Sequence, residues 1–395
     1  MSEVAAADTP LSTATKGHRL DFVDALRGLV ICFMVLDHVR DFVHHDAFIF
    51  DPLDLGKTSM PVFFTRWITH LCAPTFVFLS GVSIFLQSTK GKTGWALSQF
   101  LLTRGLWLIV LELTLVNFGF DFKVGVFLQV IYAIGLSMVL MAGMVHLPRQ
   151  AVLITGIAVV AGHNLFDGVN AESLGIWAVP WHLLMQPGPV FGGFIAYPAL
   201  PWFGIMCTGY GLGSVYLMEP EKRTRTLAML AVAAIAVFLV LRLPNLYGNG
   251  SLWAMPANHA FEAMAIIDVT KYPPSLDYAL LTLGISTLLG LSLQWAPKWL
   301  MTPLLAFGRT PFLTYLLHIY LAHTIALVIG MMHGIPAGDF AGTFSDPSRL
   351  IKDGWGLPLW QTYAVWIFVL IVLYPIASAY AKYRATHKAW WQSYL

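Results

Sequence analysis

An imidazole placed between an arginine eleven residues before it and a carboxylate three residues after it is equipped to take a proton from an attacking hydroxyl or amine. His38 stands in that position, in Asp24-Ala-Leu-Arg27-Gly28, an apolar run, and then Asp37-His38-Val-Arg40-Asp41. On a helix, Arg27 and His38 share nearly the same face about 16 Å apart along the axis. Asp41, at i+3 from His38, shares it too and is able to hold the ring in one tautomer, with Asp37 as a second carboxylate beside it. Arg27 suits a phosphate or pyrophosphate, which a guanidinium grips by paired charge-assisted hydrogen bonds. The plainer alternatives are a packing histidine and an arginine that anchors a helix end. Charged groups are costly in a bilayer, and so many on one apolar helix point to a working face.

Other residues add to that polarity. His44 and His45 follow at the end of the same helix, as candidates for catalysis or for a solvated interface. His70 lies within Trp67-Ile-Thr-His70-Leu-Cys-Ala-Pro74, where the proline is expected to bend the helix around a cavity. Arg104 and Arg309 join Arg27 as candidates for binding the phosphates of a cofactor-like donor, and Gln129 and His70 are nominees for stabilising an oxyanion. Glu112, Asn117 and Asp121 mark the third apolar block, and Tyr315 and His318, at i+3, share a face of a later one. Lys271, before two prolines in Thr270-Lys271-Tyr272-Pro273-Pro274, is with Gln129 a further candidate for binding the donor. Four histidines at similar depth also raise haem or metal binding, but no haem signature or thiolate support accompanies them, and no metal is expected.

The elements that must position these groups are membrane helices. With 57% hydrophobic and 11% charged residues over 395 positions, and a mean hydropathy of +0.69, the chain is too apolar for a soluble protein. A net charge of +2, with basic residues in short separated clusters, excludes nucleic acid as a partner. Cys32, Cys72 and Cys207 fall in apolar segments without metal-type spacing and read as core residues. The fold class expected is all-α and polytopic, with about ten spans at 21–45, 61–87, 96–117, 124–146, 150–165, 199–218, 225–242, 276–295, 302–331 and 358–382. Lysines and arginines cluster at alternate junctions, which puts both termini in the cytoplasm. The connections 46–60, 166–198, 243–275 and 332–357 then form the outer face, with re-entrant pieces around Pro180-Trp-His182 and Pro187-Gly-Pro189. A cytoplasmic tail is expected over 1–20, one membrane domain over 21–385 and a second tail over 386–395. No internal repeat is evident.

Arg27 and His38 fit the R-x10-H pattern of the membrane acyltransferase 3 enzymes. More specifically, Val23-Asp-Ala-Leu-Arg27-Gly28, Phe76-Val-Phe-Leu-Ser-Gly81, Leu128-Gln129, Leu200-Pro-Trp-Phe-Gly204, Thr270-Lys-Tyr-Pro-Pro-Ser-Leu276 and Phe307-Gly-Arg309 resemble the catalytic domain of heparan-alpha-glucosaminide N-acetyltransferase and its bacterial relatives over about residues 19 to 385. That resemblance implies an acyl-CoA-dependent O- or N-acyltransferase that takes acetyl from cytosolic acetyl-CoA and delivers it to a saccharide or glycolipid across the membrane. It carries His38 over as the R-x10-H histidine, and makes His44 and His45 the counterparts of a histidine placed in the first outer loop of the lysosomal branch. Transfer is either direct or through an acyl-histidine. The expected partners are acyl-CoA, the sugar acceptor and membrane lipids, and the reading admits a homodimer in a bacterial inner membrane. The competing class is a proton-coupled transporter or lipid flippase, which predicts inverted repeats with broken helices.

Overall fold

The computed structural model describes residues 15–387 and 389, and the tails expected at 1–20 and 386–395 lie for the most part outside them. Its first helix, α1 (Thr15–Val43), runs for 29 residues because Leu29 to Leu36 contain no helix breaker. There follow α2 (Met60–Ile68), α3 (Cys72–Ser88), α4 (Gly94–Leu111), a short α5 (Asn117–Asp121), α6 (Val130–Met144), α7 (Arg149–Gly162), α8 (Ala178–Leu184), α9 (Ala199–Leu212) and α10 (Pro220–Arg242). The chain closes with α11 (Glu262–Ile267), α12 (Leu276–Ser292), α13 (Lys298–Arg309), α14 (Pro311–Met332), α15 (Ser348–Lys352) and α16 (Leu359–Thr386). Three short strands complete it: β1 (Phe127–Leu128) lies parallel to β3 (Gly193–Ile195), and β3 pairs antiparallel with β2 (Gly188–Val190).

Among the described residues six helical runs are long and apolar enough to cross a membrane, or seven if the bent pair Arg149–Phe166 and Ala171–Leu184 is one span. The remaining apolar blocks depart from simple spans for local reasons. Helix α1 has the length but also carries five charges between Asp24 and Asp41. Block 124–146 yields β1 and a 15-residue α6, and block 199–218 a 14-residue α9. Block 302–331 breaks in two because Pro311 opens α14 and disfavours a helical Thr310, whose backbone sits at φ −128°, ψ 46°. The 117° bend after α7 and the β2–β3 hairpin fall where re-entrant chain was expected.

Helix α1 forms the centre. Val30, Ile31, Val35 and Val39 are almost fully buried. It packs against α13, α14, α16 and α3. The approach of α13 is very close: a Cβ on Gly28 would lie 1.9 Å from the carbonyl oxygen of Leu304, and one on Gly308 1.7 Å from that of Asp24. Only glycine at both positions allows it. The far end of α1 is covered by the loop after α15, where Leu357 donates its backbone N–H to the Val43 carbonyl and Trp355 donates Nε1–H to Phe42 at 2.9 Å.

The loop 243–275 is fastened in turn. Arg242 donates to the carbonyls of Ile266, Ser251, Ala265 and Asp268 at 2.6 to 3.2 Å. Asn249 Oδ1 accepts from Thr270 N–H and Ser275 Oγ–H, and Ser275 Oγ caps α12 by accepting from Tyr278 N–H at 3.0 Å. Lys271 is thereby fixed beside α1. On the periphery, Leu106 and Val110 of α4, Val232 and Val240 of α10, and Phe368 and Ile371 of α16 are exposed. Such an apolar exterior around a polar centre is that of an integral membrane protein.

Candidate active site

The glycine contact between α1 and α13 sets Arg27 beside Arg309. Arg27 donates through Nη1 to Asp24 (2.9 Å) and the Gly308 carbonyl (3.2 Å), and through Nη2 to Ser83 Oγ (3.3 Å). Arg309 pairs with Asp21 at 2.7 Å and Asp24 at 3.6 Å, while Arg384 of α16 donates to the Arg309 carbonyl at 2.7 Å. These three arginines, with Arg104 of α4, line one end of a cavity of about 570 Å³. From there the walls turn apolar through Met34, Phe76 and Met138, and they reach Phe312 and Tyr315. Met34 is one helical turn before His38, and the cavity runs along α1 from a cationic mouth to Tyr315, whose ring packs against that of His38.

Beside Tyr315, His38 Nδ1 lies 2.6 Å from His318 Nε2, the two rings edge to edge with their planes within 7° of parallel and their centroids 4.9 Å apart. The tautomers follow from the second bond of His318, whose Nδ1 stands 3.0 Å from the Thr314 carbonyl. A carbonyl only accepts, so His318 Nδ1 carries the hydrogen and its Nε2 is the acceptor. His38 therefore donates from Nδ1, which leaves its Nε2 with the lone pair. Tyr315 presents a buried hydroxyl with no hydrogen-bond partner, its ring 6.2 Å from that of His38 and 5.6 Å from that of His318. Aromatic side chains close the far side: Phe120 meets His38 edge-on at 5.0 Å, Phe344 meets Phe120 at 5.1 Å, and Phe42 lies 6.0 Å from Phe120.

Beyond His38 along α1 the surroundings become ionic. Asp37 accepts from Arg66 Nη1 at 3.1 Å on both oxygens, lies 3.1 Å from Arg40 Nη2, and has Lys271 Nζ at 4.0 Å. Asp41 pairs with Arg40. Lys271 stands over the rings of Tyr272 (5.1 Å) and Tyr197 (5.9 Å). His70 occupies the 3₁₀ turn between α2 and α3, fully buried with neither ring nitrogen partnered, while Tyr278 donates to its backbone carbonyl at 2.8 Å.

The structure thus brings Arg27, Arg104 and Arg309 together and places Asp37, Asp41 and Lys271 in a second group. The Nδ1 of His38 is turned to His318 rather than to either carboxylate. Gln129 stands apart from the arginines: its backbone N–H, like that of Tyr132, is accepted by the buried Glu112, which sits in a π-helical turn and thereby caps α6. His44 and His45 lie past the end of α1. His45 faces the Leu357 carbonyl through Nδ1 (3.1 Å) and Asp46 through Nε2 (3.2 Å). His44 is buried with both nitrogens unpartnered, and burial, reinforced by the neighbouring His45, pushes its pKa down to about 4.

Sequence reasoning placed Tyr315 and His318 on one helix face without assigning them a role, and gave none to Arg40, Arg66 or Arg384. An arginine inside the apolar run Phe63-Phe-Thr-Arg66-Trp67 is itself a signal of a polar interior. The pairing of His38 with His318 has no local signal, because 280 residues separate them.

Residues 19–253 match the family model described as heparan-alpha-glucosaminide N-acetyltransferase, catalytic. The match takes in Arg27, His38, His70, Arg104 and Gln129 and ends before Lys271 and Arg309. No curated protein matches the chain.

Proposed function

The chain belongs to the heparan-alpha-glucosaminide N-acetyltransferase catalytic family, and from that premise we propose that it transfers an acetyl or short acyl group from acyl-CoA to a hydroxyl or amine of a saccharide or glycolipid on the opposite side of the membrane. The observation that carries this reading is the cavity whose mouth gathers Arg27, Arg104, Arg309 and Arg384 and whose inner end is Tyr315, beside the His38–His318 pair. Three phosphate groups suit the arginines. A flexible pantetheine arm suits the apolar walls, and its length brings the thioester to His38. In this reading the mouth opens to the cytosol, both termini lie there, and about ten segments, including α1, cross the bilayer.

The chemistry follows from the tautomers. His38 Nε2 removes the proton of the acceptor O–H or N–H while the heteroatom attacks the thioester carbonyl. His318 accepts the Nδ1 hydrogen and holds that ring in the tautomer required. The Tyr315 hydroxyl donates to the oxyanion of the tetrahedral intermediate. Collapse breaks the C–S bond, and the CoA sulfur leaves with the proton from His38 Nε2. A transporter or flippase has no need of an arginine-lined cavity that ends at a tyrosine packed against a paired imidazole.

Single-turnover transfer from labelled acetyl-CoA in liposomes tests the assignment. His38→Ala is expected to lower the rate about 10²-fold or more and to leave CoA binding unchanged, with much smaller losses in His44→Ala, His45→Ala and His70→Ala. A near-normal rate in His38→Ala, with loss in His44→Ala or His45→Ala, would move the base to the loop beyond α1.

A further inference from the structure

Three cations and two carboxylates meet beside His38: Arg40, Arg66 and Lys271 against Asp37 and Asp41. One positive charge is left over, and it is deep, since Arg40 is 4%, Lys271 6% and Asp37 8% exposed. Uncompensated charge in an interior is strongly unfavourable. The surplus is not an artefact of distant partners either. Arg40 spends Nη2 on Asp37 and Asp41, but its Nε and Nη1 are buried and have no hydrogen-bond partner. The group is therefore built to receive an anion that the protein itself does not supply.

The position of the group says which substrate brings that anion. On α1, Arg27 lies eleven residues before His38 and Arg40 two residues after it, which puts Arg40 about 20 Å from Arg27. Phosphates held at Arg27 are thus out of its reach, and a thioester that ends at His38 does not pass it. The groups around it are polar as well: Lys271 stands over Tyr197 and Tyr272, whose hydroxyls are 3.5 Å apart, and His70 nearby has two unpartnered ring nitrogens.

We propose that Arg40, Arg66 and Lys271 form an oxyanion subsite for the acceptor, and that the acceptor carries a carboxylate or phosphate close to the hydroxyl or amine that is acylated. The proposal rests on the transferase reading for the word acceptor, but the binding it requires is measurable without turnover. Purified full-length protein, with CoA at saturating concentration to occupy the arginine-lined cavity, is titrated calorimetrically with glucuronate, glucose 6-phosphate and glucose. At least one of the two anionic sugars is expected to bind tenfold or more tightly than glucose, and which one does so separates carboxylate from phosphate. Lys271→Gln, which cancels the surplus charge, is expected to abolish that preference and Lys271→Arg to restore it. Should Lys271→Gln not fold, Arg40→Lys is expected to lose most of the preference. Equal affinity for the three sugars, no binding of any, or a preference that survives these substitutions would overturn the subsite. Acetyl-CoA consumption in the same samples reports separately on the transferase reading.

Discussion

A single hydrogen on His318 decides what His38 is able to do. Because the Thr314 carbonyl fixes that hydrogen at Nδ1, the adjoining ring must donate from its own Nδ1 and keep Nε2 basic. His318→Ala removes this constraint without touching any substrate, so kcat is expected to fall about tenfold, with KM for acetyl-CoA unchanged. Tyr315→Phe keeps the ring and deletes the unpartnered hydroxyl, and is expected to cost about 10²-fold in kcat with normal CoA affinity. His44 gives a prediction of a different kind. It is buried and uncharged, with its pKa down to about 4, whereas the unfolded chain binds the proton near pH 6.5. Its contribution to stability is complete above about 6.5 and is lost as pH falls toward 4. Thermal unfolding followed from pH 7.5 to 4 should therefore show a steeper decline in the wild type than in His44→Gln, and equal slopes would refute the point.

Between elements, the tightest constraint is the crossing of α1 and α13. Gly28→Val places side-chain atoms on the Leu304 backbone and should force the two helices apart, costing about 1–3 kcal/mol together with most of the CoA affinity, since Arg27 and Arg309 would no longer converge. Gly143→Ala in α6, where a Cβ meets nothing within 4 Å, serves as the control and should be neutral or stabilising in thermal melts. Much of this level is legible in the chain. Arg27-Gly28 and Gly308-Arg309 stand out as paired motifs, and helical spacing puts Arg27 and His38 on one face. What periodicity does not contain is how apolar blocks are divided. The break at Thr310 rests on one proline, and the shortness of α9 on its being enclosed by other helices rather than by lipid. The ionic group around Asp37 is likewise hidden, because Arg66 and Lys271 come from segments far apart in sequence and meet only when the loop 243–275 is fastened through Arg242 and Asn249.

For the molecule as a whole, the arginine-lined cavity and the ionic group around Asp37 are two separate polar regions along α1, and an aromatic cluster packs against the histidine pair. His38 and His318 stand at the boundary with Phe120, Phe42 and Phe344 behind them. If, as proposed, the protein admits a large charged donor from one face of a bilayer, it must hold a wet passage part of the way across, and completion of that passage would dissipate an electrochemical gradient. On that reading the cluster of rings would act as an insulator as well as a wall of the site. Phe120→Ala should raise passive proton flux in liposomes that hold a pH gradient, even when no donor or acceptor is present. His38→Ala, with Phe120 intact, should leave the vesicles tight, so that the cost of weakening this seal would fall on the organism's energy supply before it fell on catalysis.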